Sequence, residues 1–376
     1  MPRHRLVMPR DKIQDMDHHD IPRAEARRER PDLPDRGDAA PGPAALDRID
    51  WEAFRLVAVD LDGTAAGPDG RVSPQGLRAL AAAERAGLHP VIVTGRALPA
   101  AMGVWLRAGL SRPVIVCGGA LTAWPTAGRP LRERPLDPAA VQRVLRLARE
   151  LDLIPFLYGA DGIVTDRPSA WRDRLAHLNE TPIPVDPDGL TPVTSDGLTA
   201  DEPGPVSDPA GGPAAPAQPP ADPRHGPAGL AAGAAGAADP ATPAGGPRGR
   251  PVYKVVLATD AQRAARVRPA VERGLADLDA CCVATLPGLL EIVRPDATKE
   301  AALADLCRML GVPREAVIAI GDGENDLGMI RWAGLGVAMA NAQPEVRAAA
   351  RLIIGHHADD GVARFLEAVV SRRQAR

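Results

Sequence analysis

The sequence predicts an α/β protein built on a parallel sheet with helices on both faces. Three observations lead there. Short apolar runs recur without polar alternation, as strands buried on both faces do. Between them lie Ala- and Leu-rich segments of helical length, several closed by glycine. The runs LVAVD, VIVT and VIAIGD each break into acid or hydroxyl residues at their C-terminal ends, the edge at which such sheets bind ligands.

In chain order, Arg55–Asp60 reads as the first strand, Pro74–Ala86 as a helix stopped at Gly87, and Pro90–Thr94 as the second strand. Leu98–Ala108 is a helix closed by Gly109, and Pro113–Cys117 a third strand. Much later come a helix over Lys299–Leu310, a strand over Ala316–Ile320 and a helix over Asp326–Trp332. Strands at Leu335–Met339 and Arg351–Ile354 follow. Residues 1–50 are charged and aperiodic, and about 187–250 are almost entirely Ala, Gly, Pro and Asp. Both are expected to be disordered, because such segments bury too little apolar surface to offset their ordering entropy.

Composition narrows the function. The formal net charge of -3 gives no electrostatic reason to expect nucleic acid. No apolar run approaches the roughly 20 residues of a membrane span, and the N-terminus lacks the apolar stretch of a secretory signal. Cys117, Cys281, Cys282 and Cys307 form no C-x-x-C pair, as in a reduced, cytoplasmic protein without a zinc knuckle. The pairs His18-His19 and His356-His357 are read as solvated, and the five tryptophans as packing residues.

The strand ends carry the chemistry. Asp60, Asp62 and Thr64 follow the first strand, Thr94, Gly95 and Arg96 the second, and Asp322, Asn325 and Asp326 the late strand within GDGEND. Three strands thus deliver acids and hydroxyls to one edge. Buried carboxylates need a counter-charge, and a few carboxylates plus phosphate suit Mg²⁺. Lys299, in a first helical turn, adds fixed positive charge. Two carboxylates in different environments divide labour well. Asp60, still in the strand, can face the phosphorus while Asp62, just before the break at Gly63, curls toward the leaving-group oxygen, so that one carboxylate serves as nucleophile and the other as general acid and base.

These residues resemble the four motifs of the haloacid dehalogenase superfamily, in its Cof-type branch (subclass IIB). Asp60-Leu61-Asp62-Gly63-Thr64 matches DxDGT, VIVTGR supplies the motif-two Thr94, TKEAAL the motif-three Lys299, and Gly321–Asp326 matches GDxxND. The resemblance implies a Rossmann-like core with an inserted small α/β cap of type C2. It implies Asp60 as the nucleophile, Asp62 as the general acid and base, and Mg²⁺ on Asp60, Asp322 and the main-chain carbonyl of Asp62. Thr94, Lys299 and Asn325 would surround the phosphate, with Thr64, Gly95, Arg96 and Asp326 supporting them. The wide interval between Thr94 and Lys299 places the cap after the third strand. The expected layout is a first core part over 51–121, a cap over 122–290 containing the low-complexity insertion, and a second core part over 291–376. The family often carries Asn-Gly-Ala where this chain has Gly118-Gly119-Ala120.

The implied activity is a Mg²⁺-dependent phosphomonoesterase acting on a small phosphorylated metabolite, a sugar phosphate being expected, with neither nucleic acid nor membrane as partner. A phosphomutase would use the same aspartyl-phosphate, but GDGENDLGMI has the compact form of the hydrolases. A non-catalytic binding protein on this fold would ordinarily lack a nucleophile or metal ligand, and here each is present.

Overall fold

The computed structural model describes residues 46–375, except 48, 126–129, 187–249 and 284–285. The expected disordered stretches therefore lie almost wholly outside the described residues. The exception is the end of the first. Leu46 and Ile49 are buried, and the Trp51 indole donates to the Leu46 carbonyl at 2.9 Å. The ordered chain thus begins before residue 50, because these apolar side chains join the core.

The first strand, β1 (Leu56–Val59), is buried along its whole length. It lies between β2 (His89–Ile92) and β11 (Val317–Gly321), parallel to both. Outward from β11 come β12 (Leu335–Met339) and β13 (Leu352–Ile354), also parallel. β3 (Val114–Val116) joins the other edge through the Val93–Ile115 bridge. From β1 the chain moves one way to β2 and β3, and after the insertion it returns on the other side at β11. The crevice between β1 and β11 is therefore a topological switch point, the place where an open α/β sheet offers its C-terminal edge to a ligand.

Helices cover both faces. α1 (Pro74–Arg85), α2 (Leu98–Ala108) and the C-terminal α9 (Gly361–Gln374) share a cluster with Val57, Val59 and Ile92. On the opposite face, Ala302, Leu303 and Leu306 of α6 (Lys299–Leu310) pack on Leu56, Ala58, Val91 and Ala319. The helix expected at Asp326–Trp332 begins one residue later as α7 (Leu327–Trp332), after a 3₁₀ turn over Glu324–Asp326. The reason is local: the Asp326 carboxylate turns back to accept from the loop amides of Asp322 and Gly323, each at 3.0 Å. A short α8 (Pro344–Ala349) and the amphipathic α9 have no counterpart among the expected elements.

The expected cap is present, with a different beginning. After β3 the chain forms β4 (Leu121–Ala123) and β5 (Pro130–Glu133), which extend β3 as an antiparallel sheet. Only then does it enter the cap, through α3 (Pro138–Glu150). The sequences of β4 and β5, LTA and PLRE, lack the unbroken apolar run by which the equally short β1 and β3 are read. The cap sheet is antiparallel in the order β7-β6-β8-β10-β9. Its strands are β6 (Ile154–Gly159), β7 (Gly162–Thr165), β8 (Lys254–Ala258), β9 (Cys281–Val283) and β10 (Leu289–Val293). Its outer face packs on α3 and α5 (Ala261–Leu275) through Val144, Val255, Leu257, Val271 and Ile292. Its inner face, with Phe156, Val256, Ala258 and Leu289, belongs to the same apolar cluster as the core sheet. Between β7 and β8, α4 (Ala170–Leu178) completes the cap among the described residues.

Trp51 tests the early boundary. It packs edge-on against Phe365 and beside Phe54. Trp51→Ala is expected to lower unfolding stability by about 3–5 kcal/mol, as for other buried aromatics, measured by chemical denaturation.

Candidate active site

The β-ladder itself assembles the site. Asp60 N–H donates to the Ile320 carbonyl at 3.1 Å, and Val93 N–H to the Val59 carbonyl at 2.9 Å. Continuing the ladder one residue past β1 brings Asp60 between the ends of β11 and β2, beside Asp322 and Thr94. Lys299 arrives from the other side, at the first position of α6 under the Thr298 cap. A cation there opposes the helix dipole. It is held by two carboxylates: Asp60 Oδ1 at 2.7 Å and Asp326 Oδ1 at 2.6 Å. All three groups are buried.

One ammonium shared by two carboxylates cannot neutralise both. Lys299 is accordingly held charged, its pKa raised by Asp326 and Asp60 against the opposing cost of burial. Asp60 is also pushed up, to about 8, by burial and by Asp326, Asp62 and Asp322, with Lys299 opposing. Burial and Asp326 raise Asp322 to about 6. The site is thus short of positive charge.

Asp60, Asp322 and Asp326 each bring one oxygen within 4.8 Å of the others. Asp326 is already committed, one oxygen to Lys299 and the other to two amides. Asp60 and Asp322 are left as the hard oxygen pair facing the crevice, with Thr64 Oγ1 donating to Asp322 Oδ1 at 3.1 Å. An all-oxygen donor set with excess negative charge fits a divalent hard cation such as Mg²⁺. Gly63 is essential to it. Its φ is +75°, and a Cβ there would lie 2.3 Å from Asp322 Oδ2.

Asp62 is half-exposed, and its carboxylate sits in the fork of Arg96, with Nε at 3.0 Å and the terminal nitrogen at 2.6 Å. Arg96 is buried and also donates to the Gly70 carbonyl at 2.6 Å. Thr94 is buried, and its Oγ1 accepts from Arg96 N–H at 3.1 Å. That bond uses the oxygen and leaves the hydroxyl proton available to a phosphate oxygen. The Gly95 carbonyl accepts from Lys254 at 2.8 Å. Asn325 stands exposed on the turn before Asp326. Every residue singled out at the strand ends thus lies on this edge.

Three further supports, Asn341, His357 and Arg132, were not visible in the sequence pattern. Asn341, two residues past β12, donates to the Gly63 carbonyl at 2.7 Å and accepts from His357 N–H at 3.0 Å. Its position beyond a strand end was the available signal. His357, expected to be solvated, is half-buried with a ring nitrogen 3.0 Å from the Ala66 carbonyl. Arg132 of β5 ties the cap connections together. It donates to the carbonyls of Gly119 and Asp296 (the latter at 3.0 Å) and pairs with Asp305 of α6 at 2.7 Å. Gly118, where the family often has Asn, has φ +70° and nothing within 4 Å of a Cβ.

The sequence pattern of the haloacid dehalogenase-like hydrolases matches residues 57–188 and 245–366. The chain belongs to this family. Pyridoxal phosphate phosphatase YbhA of Escherichia coli is 25% identical over 313 residues, covering 83% of this chain and 97% of that protein. A 5-amino-6-(5-phospho-D-ribitylamino)uracil phosphatase of Bacillus subtilis, YitU, is 42% identical over 79 residues, or 29% of its length. Among solved structures, a haloacid dehalogenase-like hydrolase from Bacteroides thetaiotaomicron superposes with a TM-score of 0.64 at 24% identity, covering 84% of this chain and 98% of that one. The subclass IIB sugar phosphatase BT4131 superposes at 0.59 with 16% identity over 84% and 98% of the two chains. These superpositions establish the shared fold, cap included.

The raised carboxyls set a pH dependence. A carboxyl whose folded pKa lies above its unfolded value binds more protons in the folded state, so stability falls as pH rises between the two values. For Asp60 that window runs from 3.8 to about 8 and for Asp322 from 3.8 to about 6. Metal-free protein is expected to lose melting temperature from pH 5 to pH 8, and Asp60→Asn to lose less. Mg²⁺ is expected to raise the melting temperature more at pH 8 than at pH 6. In the same assay Gly63→Ala should abolish the Mg²⁺ shift. Gly118→Asn, which adds a side chain where there is room and asparagine tolerates the backbone, is expected to melt within about 1 kcal/mol of wild type.

Proposed function

We propose that the chain is a Mg²⁺-dependent phosphomonoesterase that hydrolyses a small phosphorylated metabolite through an aspartyl-phosphate on Asp60. The observation that carries this reading is the buried Lys299 ammonium, 2.7 Å from Asp60 at the end of β1. A carboxylate so placed can receive a phosphoryl group whose oxygens meet a fixed cation.

In the first half-reaction an Asp60 oxygen attacks phosphorus, the bond from phosphorus to the ester oxygen breaks, and Asp62 gives its proton to the departing alkoxide. In the second, Asp62 takes a proton from water, the water oxygen attacks phosphorus, and the bond to Asp60 breaks. Inorganic phosphate leaves and Asp60 is restored. Arg96 holds the Asp62 carboxylate at the rim of the crevice. The Thr94 hydroxyl, Lys299 and the Asn325 amide are assigned to the phosphate oxygens. Asp326 keeps Lys299 charged and in place. Asp60, Asp322 and the Asp62 main-chain carbonyl would hold Mg²⁺, and the chemistry it supplies there is neutralisation of carboxylate and phosphate charge.

The substrate class follows from the cap, whose inner face packs against the core and limits the leaving group to a small one. Sugar phosphates are the first expectation. The match over nearly the whole of a pyridoxal phosphate phosphatase favours pyridoxal phosphate as a second. A cytoplasmic setting accords with free thiols at all four cysteines.

Phosphate release from p-nitrophenyl phosphate, sugar phosphates, nucleotides and pyridoxal phosphate tests the reading. Wild-type turnover is expected to require Mg²⁺, and Asp60→Asn to lower kcat by about 10³-fold or more. Full activity in Asp60→Asn would overturn the proposal, and hexose-phosphate isomerisation without phosphate release would replace it with a phosphomutase.

A further inference from the structure

The loop 94–97 carries two of the proposed functional side chains, Thr94 and Arg96, and its backbone bonds to both core and cap. Besides the bonds made within the loop and with the first turn of α2, the core backbone supplies three. Thr94 N–H donates to the Ile115 carbonyl at 2.8 Å, Gly118 N–H to the Thr94 carbonyl at 3.0 Å, and Cys117 N–H to the Arg96 carbonyl at 2.9 Å. The cap supplies two, both from buried polar side chains. Lys254 of β8 donates to the Gly95 carbonyl at 2.8 Å, and Asn179, just past α4, accepts from Ala97 N–H at 3.2 Å.

Neither cap residue takes part in the proposed reaction, and both are 3% exposed or less. Burying an ammonium and an amide costs free energy unless each is paired, and each is. The Lys254 ammonium meets Glu291 at 3.0 Å and lies 4.4 Å from the centroid of the Tyr158 ring. The Asn179 amide donates to the Leu175 carbonyl at 2.9 Å. Lys254 is also a lone charge on a β8 face otherwise given to Val256 and Ala258. A buried ion pair is a poor source of stability compared with apolar packing, so its presence calls for another use.

The geometry points to Lys254 and Asn179 as positioning residues for catalysis. From the cap they grip the residues on either side of Arg96, at Gly95 and Ala97. That grip keeps the guanidinium in its fork on Asp62. The inference rests on the reading of Asp62 as the acid and base. It goes beyond it by assigning the orientation of that carboxylate to two side chains of the cap, 159 and 82 residues along the chain from the backbone atoms they hold.

The test is a set of double-mutant cycles on the full chain. Lys254→Met and Asn179→Leu keep side-chain bulk and remove the bonds. Each is expected to lower kcat about tenfold or more while KM stays within about threefold. In an Arg96→Ala background each is expected to cost no more than about twofold further, because the group through which they act is gone. Wild-type kcat in both single variants, or losses that multiply with that of Arg96→Ala, would overturn the inference. If Lys254→Met does not fold, Asn179→Leu, which removes no charge, carries the same cycle. Amide hydrogen exchange gives a readout independent of turnover: Ala97 N–H should exchange at least about tenfold faster in Asn179→Leu than in wild type. An unchanged rate counts against the grip. Wild type inactive on every ester, with Ala97 exchanging as expected, would refute the phosphatase reading and leave the grip standing.

Discussion

The structure turns on one ammonium group with two carboxylates to serve. Lys299 bridges Asp60 and Asp326 in a fully buried setting, and most other features of the site follow from the imbalance. Asp326 must leave the helix it would have begun in order to reach Lys299, and its second oxygen then closes the GDGEND loop on its own amides. Asp322, at the base of that loop, is thereby turned toward Asp60 and inherits the shortage of positive charge. Gly63, having no Cβ, lets the chain pass against the Asp322 carboxylate. An unfavourable helix-end position for a lysine is tolerated because these partners are fixed by the sheet rather than by flexible loops.

The sheet does this through register alone. Parallel pairing of β1 with β2 and with β11 sets three strand ends level, and Asp60, Thr94 and Asp322 follow within two residues of those ends. Apolar burial on both faces makes that register unambiguous. The residue that closes a strand is therefore placed as securely as those within it, and a reactive carboxylate obtains rigidity without a dedicated scaffold.

Much of this was legible in the sequence because continuous apolar strands show where they stop. LVAVD, VIVT and VIAIGD each announce both a strand and its functional end, and the helix at Lys299 is framed by Thr298 and Gly311. Asn341 obeys the same rule but follows a strand whose end carries no acid, so nothing drew notice to it. Lys254 was visible as a charge inside an apolar strand. What it touches was not, since Gly95 comes near only when the cap sheet is laid over the core. Asn179 had no local signal at all. The β4–β5 extension escaped because LTA and PLRE contain no unbroken apolar run, and the early ordered residues because Leu46 and Ile49 gain their meaning only from Trp51.

The Arg132 bridge ties the cap to Lys299. β5 leads out toward the cap and the segment after β10 leads back, and only five residues separate the end of β10 from Lys299. Arg132 clasps the outgoing strand to the Asp296 carbonyl of the returning one and to Asp305 within α6. A miniaturised version of the protein, with the cap excised and the two crossings spliced, would leave the head of α6 without its mooring. The smallest unit able to hold Lys299 against Asp60 therefore includes both crossings and the arginine between them, and the insertion is part of the machine's frame as well as its cover.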